Sequence, residues 1–315
     1  MPLRLLVYIV PNVLLALLSG CHQSGRVEPS GVAPQAPSPM EEHVRAHERI
    51  QPEHELVAGD TLRLSDVLEG EIEVYVPAFA STDSVDLLIH FHGPAFVVRQ
   101  AAMHSAIPTI AAVVNLGSGS SAYERPLQKP GTLADIVSAV RTAAFGSAQS
   151  SAPVRRIVVT AFSAGYGAVR AILRDTESAE LVDSVILMDG LHASYVPDGT
   201  RLAEGGSVDS VQMAPFIRFA ARAAAGEKQL LITHSEVFPG TYCSTTETTD
   251  YLIRSVGLER RAVLRWGPGG MQQLSSTREG GLEILGFAGN SAPDHVDHFH
   301  GFAAWLARTR SVAER

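Results

Sequence analysis

At 315 residues, the chain can hold one large α/β domain or two small ones. Its composition, 45% hydrophobic and 18% charged, is that of an ordinary globular protein with enough apolar material for a core. Acidic residues outnumber basic ones, 33 Asp and Glu against 25 Lys and Arg, which gives a formal net charge of -8. Because no long run of Lys and Arg interrupts this balance, we expect no nucleic-acid partner.

The N-terminus has the pattern of an export signal. Arg4 precedes an apolar run that is too short for a comfortable membrane span. The run ends in Leu18-Ser19-Gly20-Cys21, which resembles the bacterial lipobox, the motif in which the cysteine becomes the first mature residue and carries lipid. We therefore expect residues 1–20 to be a lipoprotein signal peptide and Cys21 to be the lipidation site. The expected location is the periplasmic or cell-surface side of a membrane, and His22 favours the outer membrane.

Residues 21–55 are predicted to form a flexible tether, because they begin with a stretch rich in Pro, Ser, Gly and Gln that shows no periodicity. No internal repeat or second linker follows, so we predict one domain over residues 56–315. Cys243 is the only other cysteine, and no intramolecular disulfide is expected once Cys21 is acylated.

Strand and helix signals alternate from Thr61 onward. In chain order the predicted strands are Thr61–Leu64, Glu71–Val76, Val85–His92, Ile110–Leu116, Arg156–Phe162, Val185–Met188, Gln229–Thr233 and Ala262–Trp266. The predicted helices are Phe96–His104, Thr132–Phe145, Gly165–Arg174, Ser210–Ala225, Ser244–Val256 and His295–Thr309, with a long Gly-rich loop before the last of them. This alternation predicts a mostly parallel central sheet with helices on both faces, and ligands at the carboxyl ends of its strands.

Ser163 lies where the strand Arg156–Phe162 meets the next helix. The sequence Ala161-Phe162-Ser163-Ala164-Gly165 resembles the nucleophile elbow G-x-S-x-G of α/β hydrolases, with Ala in place of the first Gly. A serine in this turn takes a strained backbone conformation, so its neighbours two residues away must be small. The chain thus resembles an esterase- or lipase-like serine hydrolase, which implies a three-layer α/β-hydrolase fold with Ser163 as the nucleophile.

The resemblance also implies an oxyanion hole. His90-Phe91-His92-Gly93 looks like the HG motif at the corresponding strand end of the family, where the backbone stabilises an oxyanion. Because Pro94 has no N–H, we expect the site around Gly93 to use the amide of Ala95 or Phe96 together with that of Ala164.

The family order of nucleophile, acid and base places the base near the C-terminus. Within Asp294–His300, His298 is preferred to His295 because it fits the pattern apolar-Asp-His-apolar running into a helix. For the acid, Asp189 directly follows a strand and is preferred to Glu236, which follows the next strand by a few residues. The resemblance implies acyl transfer through an acyl-enzyme, with no metal and no cofactor.

The segment from Asn115 to Tyr123 is expected to overhang the same end of the sheet. It lacks the ending of a phosphate loop and is not expected to open directly into a helix. We interpret Tyr123 and Ser120 as residues that line a substrate pocket, and a plain surface loop fits the segment equally well. The segment from Ser194 to Val208 is too short for a large lid. The expected substrate is a small-molecule or lipid-like ester.

Two other functions stay open. A metal-dependent hydrolase would use His90 and His92, which alternation along a strand would put on the same face, together with the terminal His cluster. A catalytically inactive binding lipoprotein on the same fold is the other alternative. Labelling of Ser163 by a fluorophosphonate would distinguish both from a serine hydrolase.

Overall fold

The computed structural model describes residues 58–78, 84–146 and 153–309. The expected signal peptide, Cys21 and the tether lie outside the described residues. In the described ranges, no helix has both the length and the apolar character needed to cross a bilayer.

Ten strands form one sheet in the order β1-β2-β4-β3-β5-β6-β9-β12-β11-β10. Their bounds are β1 Gly59–Leu68, β2 Gly70–Pro77, β3 Val85–Phe91, β4 Thr109–Val114, β5 Val154–Phe162, β6 Ser184–Met188, β9 Gln229–His234, β10 Arg261–Trp266, β11 Gln272–Glu279 and β12 Leu282–Phe287. The six central strands, from β4 to β12 in this order, are parallel, and antiparallel pairs close both edges. Strands β3, β4, β6 and β12 are buried along their whole length, which explains their largely apolar sequences.

Helices cover both faces of the sheet. Their bounds are α1 Ala95–Met103, α2 Ser120–Leu127, α3 Thr132–Phe145, α4 Tyr166–Arg174, α5 Thr176–Leu181, α6 Ser210–Ala224, α7 Thr245–Ser255, α8 Ala292–His300 and α9 Phe302–Arg308. One core contains Leu87 of β3 with residues of α2, α3, α4, α6 and α7. A second core contains the next residue, Leu88, with residues of α1, α8 and α9. Because side chains alternate along a strand, successive residues of β3 supply opposite layers. The predicted three-layer α/β architecture is confirmed.

Several local predictions are wrong. The expected Gly-rich loop after β10 is largely the hairpin β11–β12, which turns at Gly280-Gly281. The segment after β4 does open into a helix, because α2 begins at Ser120. The C-terminal helix is two helices, α8 and α9, which meet at Gly301. A short two-stranded sheet, β7 Tyr195–Val196 with β8 Ser207–Val208, occupies the segment expected at the cap position.

Candidate active site

Three residues with positive φ angles lie at the carboxyl ends of neighbouring parallel strands. His92 (φ 72°) follows β3, Ser163 (φ 46°) follows β5 and Asp189 (φ 43°) follows β6. These strands are neighbours in the centre of the sheet, so the three residues lie side by side at its carboxyl end. Positive φ is uncommon outside glycine and clusters at functional sites.

The turn at Ser163 is enforced by glycines that allow close backbone contact. A Cβ on Gly165 would lie 2.1 Å from the carbonyl oxygen of Phe91, so only glycine fits two residues after the serine. A Cβ on Gly190 would lie 2.6 Å from the carbonyl oxygen and 2.7 Å from the nitrogen of Ser163. The chain after β6 therefore packs directly against the backbone of Ser163. Gly190 was not singled out from the sequence, although it follows Asp189 at a strand end.

Asp189 is a buried carboxylate with a complete set of partners. It is 2% exposed and accepts hydrogen bonds from the Ser235 amide (2.8 Å), the Ser235 hydroxyl (2.6 Å) and the Thr245 hydroxyl (2.9 Å). Burial alone would raise the pKa of Asp189, but its electrostatic interactions with His298 and His295 and its hydrogen bonds with His295 and Ser235 lower it below its ordinary value. Asp189 is thus ionised at neutral pH. Sequence reasoning did not find Ser235 or Thr245.

His295 bonds to Asp189. The distance from His295 Nδ1 to Asp189 Oδ2 is 2.7 Å, and the ring of Phe162, the residue before Ser163, packs against His295 with ring centroids 4.6 Å apart. Since Asp189 is ionised and can only accept, His295 Nδ1 donates this hydrogen bond, so Nε2 is the ring nitrogen that can take up a proton. The side chain of His295 is 25% exposed.

The structure brings His295, and not the preferred base His298, into hydrogen-bonding contact with Asp189. His298 is 1% exposed, its Nδ1 lies 2.8 Å from the hydroxyl of Thr233, and its ring packs edge-on against Phe287. It lies in the second turn of α8 and points into the core, whereas His295 lies in the first turn beside the strand ends. Burial lowers the pKa of His298, so its ring is neutral.

The alternative acid, Glu236, is exposed. Its backbone N–H donates to the carbonyl oxygen of Gly289 (2.8 Å), and this bond positions the loop after β9. The preferred acid, Asp189, is the carboxylate that the structure brings to a histidine.

The backbone at the end of β3 carries the expected oxyanion site around Gly93. The N–H of Gly93 donates to Asn115 Oδ1 (2.9 Å), and Asn115 Nδ2 donates back to the Gly93 carbonyl oxygen (3.0 Å), so the Gly93 amide already has a partner within the protein. Ala95 is the first residue of α1 and Ala164 lies in the 3₁₀ turn Ser163–Gly165. Amides in a first helical turn have no carbonyl partner within the helix. These two N–H groups thus lie at the ends of the adjacent strands β3 and β5.

Tyr123 does not line a pocket, because it is 0% exposed. Its hydroxyl donates to the carbonyl oxygen of Gly117 (2.8 Å) and accepts from the amide of Leu116 (3.3 Å) and from His92 Nδ1 (2.8 Å). Tyr123 thus fixes the loop before α2 and the ring of His92. Burial lowers the pKa of His92.

Ser120, the other expected pocket residue, is half-buried at the start of α2, where its hydroxyl accepts a hydrogen bond from Tyr166 (3.2 Å). Tyr166 follows Gly165 in the elbow and contacts His192, a further residue that sequence reasoning missed. His192 follows Asp189 by three residues, and its ring also contacts Tyr242.

The geometry does not favour two other chemistries, namely metal-dependent hydrolysis and catalysis by a cysteine thiol. His90 is fully buried, with Nδ1 2.8 Å from the Thr160 hydroxyl and Nε2 2.8 Å from the carbonyl oxygen of His92, and burial lowers its pKa to about 3. Because β3 ends at Phe91 and His92 has positive φ, the two histidines do not form the expected pair on one strand face. Among residues 58–78, 84–146 and 153–309, no group of three or more His, Cys, Asp or Glu could hold a metal ion. Cys243 is buried, which raises the pKa of its thiol to about 12.

No family model and no curated protein matches the chain. Solved structures that align with it include a cold-adapted esterase from an Arctic intertidal metagenomic library, at 14% identity over 79% of this chain and 92% of that one, with a TM-score of 0.42. An esterase from Pyrobaculum calidifontis aligns at 12% identity over 80% and 83%, with a TM-score of 0.43. Carboxyl esterase 2 from the fungus Tuber melanosporum aligns at 11% identity over 80% and 86%, with a TM-score of 0.45. Similarity at this level carries no argument about activity, which rests on the site itself.

Proposed function

We propose that this protein is a serine hydrolase that cleaves a carboxylic ester through Ser163, His295 and Asp189. The observation that carries the proposal is the 2.7 Å contact between His295 Nδ1 and Asp189 Oδ2 beside a serine with φ 46°. An ionised, fully bonded carboxylate holds the imidazole in the tautomer that a general base needs, with Nε2 unprotonated.

The proposed reaction has two steps. The Ser163 hydroxyl attacks the ester carbonyl carbon while His295 Nε2 takes its proton, and the oxyanion accepts hydrogen bonds from the amides of Ala164 and of Ala95 or Phe96. The C–O bond to the alcohol then breaks, and His295 returns the proton to the leaving oxygen. A water molecule, deprotonated by His295, then hydrolyses the acyl-enzyme and frees Ser163.

A matched pair of histidine variants tests the assignment. We expect His295→Gln to lower kcat for a small ester such as p-nitrophenyl acetate by about 10²- to 10⁴-fold, the range of general base catalysis. The control His298→Gln changes a histidine three residues away on the same helix, and we expect its folded fraction to keep kcat near that of the unaltered protein. Loss of kcat in His298→Gln together with an active His295→Gln would overturn the assignment.

We also infer that residues 1–20 direct export and that Cys21 carries the lipid. The support is the sequence pattern alone, namely small residues directly before a cysteine at the end of an apolar run. The lipid would hold the domain at a membrane surface, where its ester substrate is a small or lipid-like molecule. Metabolic labelling with a radioactive fatty acid tests this inference, since Cys21→Ser should abolish incorporation, and equal labelling of both proteins would contradict it.

A further inference from the structure

An aromatic cluster of Tyr166, His192 and Tyr242 lies beside the proposed catalytic residues. Tyr166 follows Ser163 by three residues, and His192 follows Asp189 by three residues. The His192 ring contacts both tyrosines nearly edge-on, with centroids 5.4 Å from Tyr166 at 70° and 5.0 Å from Tyr242 at 82°. Because the chain from Asp189 to His192 passes directly against the Ser163 backbone at Gly190, the cluster borders the nucleophile.

Contacts with neighbouring residues hold the rings of Tyr166 and His192 in place. The guanidinium of Arg170 lies over the Tyr166 ring, 5.3 Å from its centroid, and Arg170 is itself 7% exposed. The Tyr166 hydroxyl bonds to Ser120 Oγ, and His192 Nδ1 donates to the carbonyl oxygen of Cys243 (2.9 Å). The cluster is thus a preformed surface, and such surfaces bind ligands with little cost of ordering.

The cluster combines aromatic rings with hydrogen-bonding groups. Burial lowers the pKa of His192, so the ring is neutral, and with Nδ1 donating to Cys243 its Nε2 is an acceptor. Burial raises the pKa of Tyr242, and its electrostatic interaction with Tyr166 raises it further, so the Tyr242 hydroxyl stays protonated. Tyr242 is 43% exposed, so a ligand has access to the cluster.

This combination selects among ester classes. A fatty acyl chain or an unsubstituted aryl ring would cover the Tyr242 hydroxyl and His192 Nε2 without giving them partners, and an unpaired polar group costs binding energy. A sugar ring presents apolar C–H groups on its faces and hydroxyls around its rim. It can contact the rings and bond to their polar atoms at the same time.

We propose that the aromatic cluster is the subsite for a sugar, so that the substrate is an O-acylated sugar whose hydroxyl is the leaving group. This inference rests on the proposed function. In the reaction, the bond between the acyl carbon and the sugar oxygen breaks, the acyl group passes to Ser163 Oγ, the sugar oxygen takes the proton held by His295, and water then releases the acid.

The test compares four esters with the purified protein, namely an acetylated methyl glucoside, phenyl acetate, ethyl acetate and ethyl octanoate. We expect the highest kcat/KM for the glucoside. Tyr242→Phe and Tyr166→Phe each remove one hydroxyl, and we expect each to lower the ratio of kcat/KM for glucoside over ethyl acetate by about three- to tenfold. The matched control Tyr251→Phe lies on α7 outside the cluster and should keep this ratio.

The outcomes separate this inference from the function on which it rests. Hydrolysis of ethyl acetate that depends on Ser163, with phenyl acetate or ethyl octanoate preferred to the glucoside, would overturn the sugar subsite and leave the proposed function standing. A glucoside preference that both tyrosine variants retain would also overturn the subsite. Failure to hydrolyse any of the four esters would overturn the proposed function and this inference with it.

Discussion

Ser163 and Asp189 both have left-handed backbone conformations, which cost about 1–3 kcal/mol each in a residue other than glycine. The surroundings enforce them, through Gly165 and Gly190 at the serine and through four hydrogen bonds to the aspartate side chain. A fold retains such strain where it positions reactive groups, and here the strained residues are the proposed nucleophile and acid.

Ser235 is expected to act as a positioning residue for Asp189. Its hydroxyl lies 2.6 Å from Asp189 Oδ2, the oxygen that also accepts from His295. Because a hydrogen bond to a charged group contributes about 1.5–3 kcal/mol, we expect Ser235→Ala to lower kcat by about ten- to a hundredfold with little change in KM. Steady-state kinetics on a small ester measures the two constants separately. A raised KM with normal kcat would show that Ser235 contacts substrate instead.

At this scale the sequence indicates the proposed nucleophile directly but does not distinguish the proposed base from its neighbours. The elbow is local, since the strand, the small residues and the helix around Ser163 are all adjacent in the chain. The choice between His295 and His298 depends on where α8 begins and how it packs on the sheet. The Ser291 cap starts the helix so that His295 lies in its first turn and His298 reaches Thr233 inside the core.

The chain after β6 packs closely against the backbone of the elbow at Gly190. Gly190→Ala would place a Cβ 2.6–2.7 Å from backbone atoms of Ser163, closer than atoms can approach. We therefore expect this variant to displace Ser163 and to lose most of its esterase activity.

The matched control is Gly257→Ala. Gly257 has φ 72°, and nothing lies within 4 Å of the position that a Cβ would take there, so this variant carries backbone strain of about 1–2 kcal/mol away from the site. Activity per folded molecule should then be normal, with folding checked by circular dichroism. If both variants keep normal activity, the contact of Gly190 with Ser163 does not position the nucleophile.

The hairpin β11–β12 shows where element prediction failed. Two residues, Gly280-Gly281, connect the strands, and Gly-Gly between strand-like segments is a hairpin signal. The run Leu282–Phe287 is apolar apart from Glu283, and it extends the parallel sheet beside β9. The many glycines around it favoured the interpretation as a loop.

Acid should destabilise the whole molecule through its buried histidines. Burial lowers the pKa of His90 to about 3, and burial together with Arg260 lowers that of His234 to about 4, whereas an unfolded histidine has a pKa near 6.5. The neutral rings therefore stabilise the fold fully above pH 6.5, and this stabilisation is lost as the pH falls toward 3–4, because the unfolded chain takes up protons that the folded protein does not.

Urea denaturation between pH 7 and pH 5 measures this effect. The free energy of unfolding should fall, with each histidine contributing up to about 1.4 kcal/mol per pH unit below its unfolded pKa. His234→Gln should show a shallower slope than the unaltered protein. A free energy of unfolding that does not change over this range would contradict the neutral, buried state of these rings.

The molecule as a whole was more predictable than its details. Buried parallel strands appear in the sequence as apolar runs. The alternation of these runs with helical segments predicts the three-layer architecture directly. The hydrogen-bond partners of Asp189 come from the loop after β9, from α7 and from α8, and the partners of Tyr123 come from two loops. Such contacts join residues far apart in the chain, and a single sequence does not show them.

The central claim is that one serine, Ser163, is activated by a histidine that an ionised carboxylate orients. Mass spectrometry of the protein after reaction with a fluorophosphonate probe tests it most directly. We predict a single adduct that maps to the peptide containing Ser163, is absent in Ser163→Ala and forms much more slowly in His295→Gln. A folded protein that remains unmodified, or an adduct that persists in Ser163→Ala, would contradict the claim.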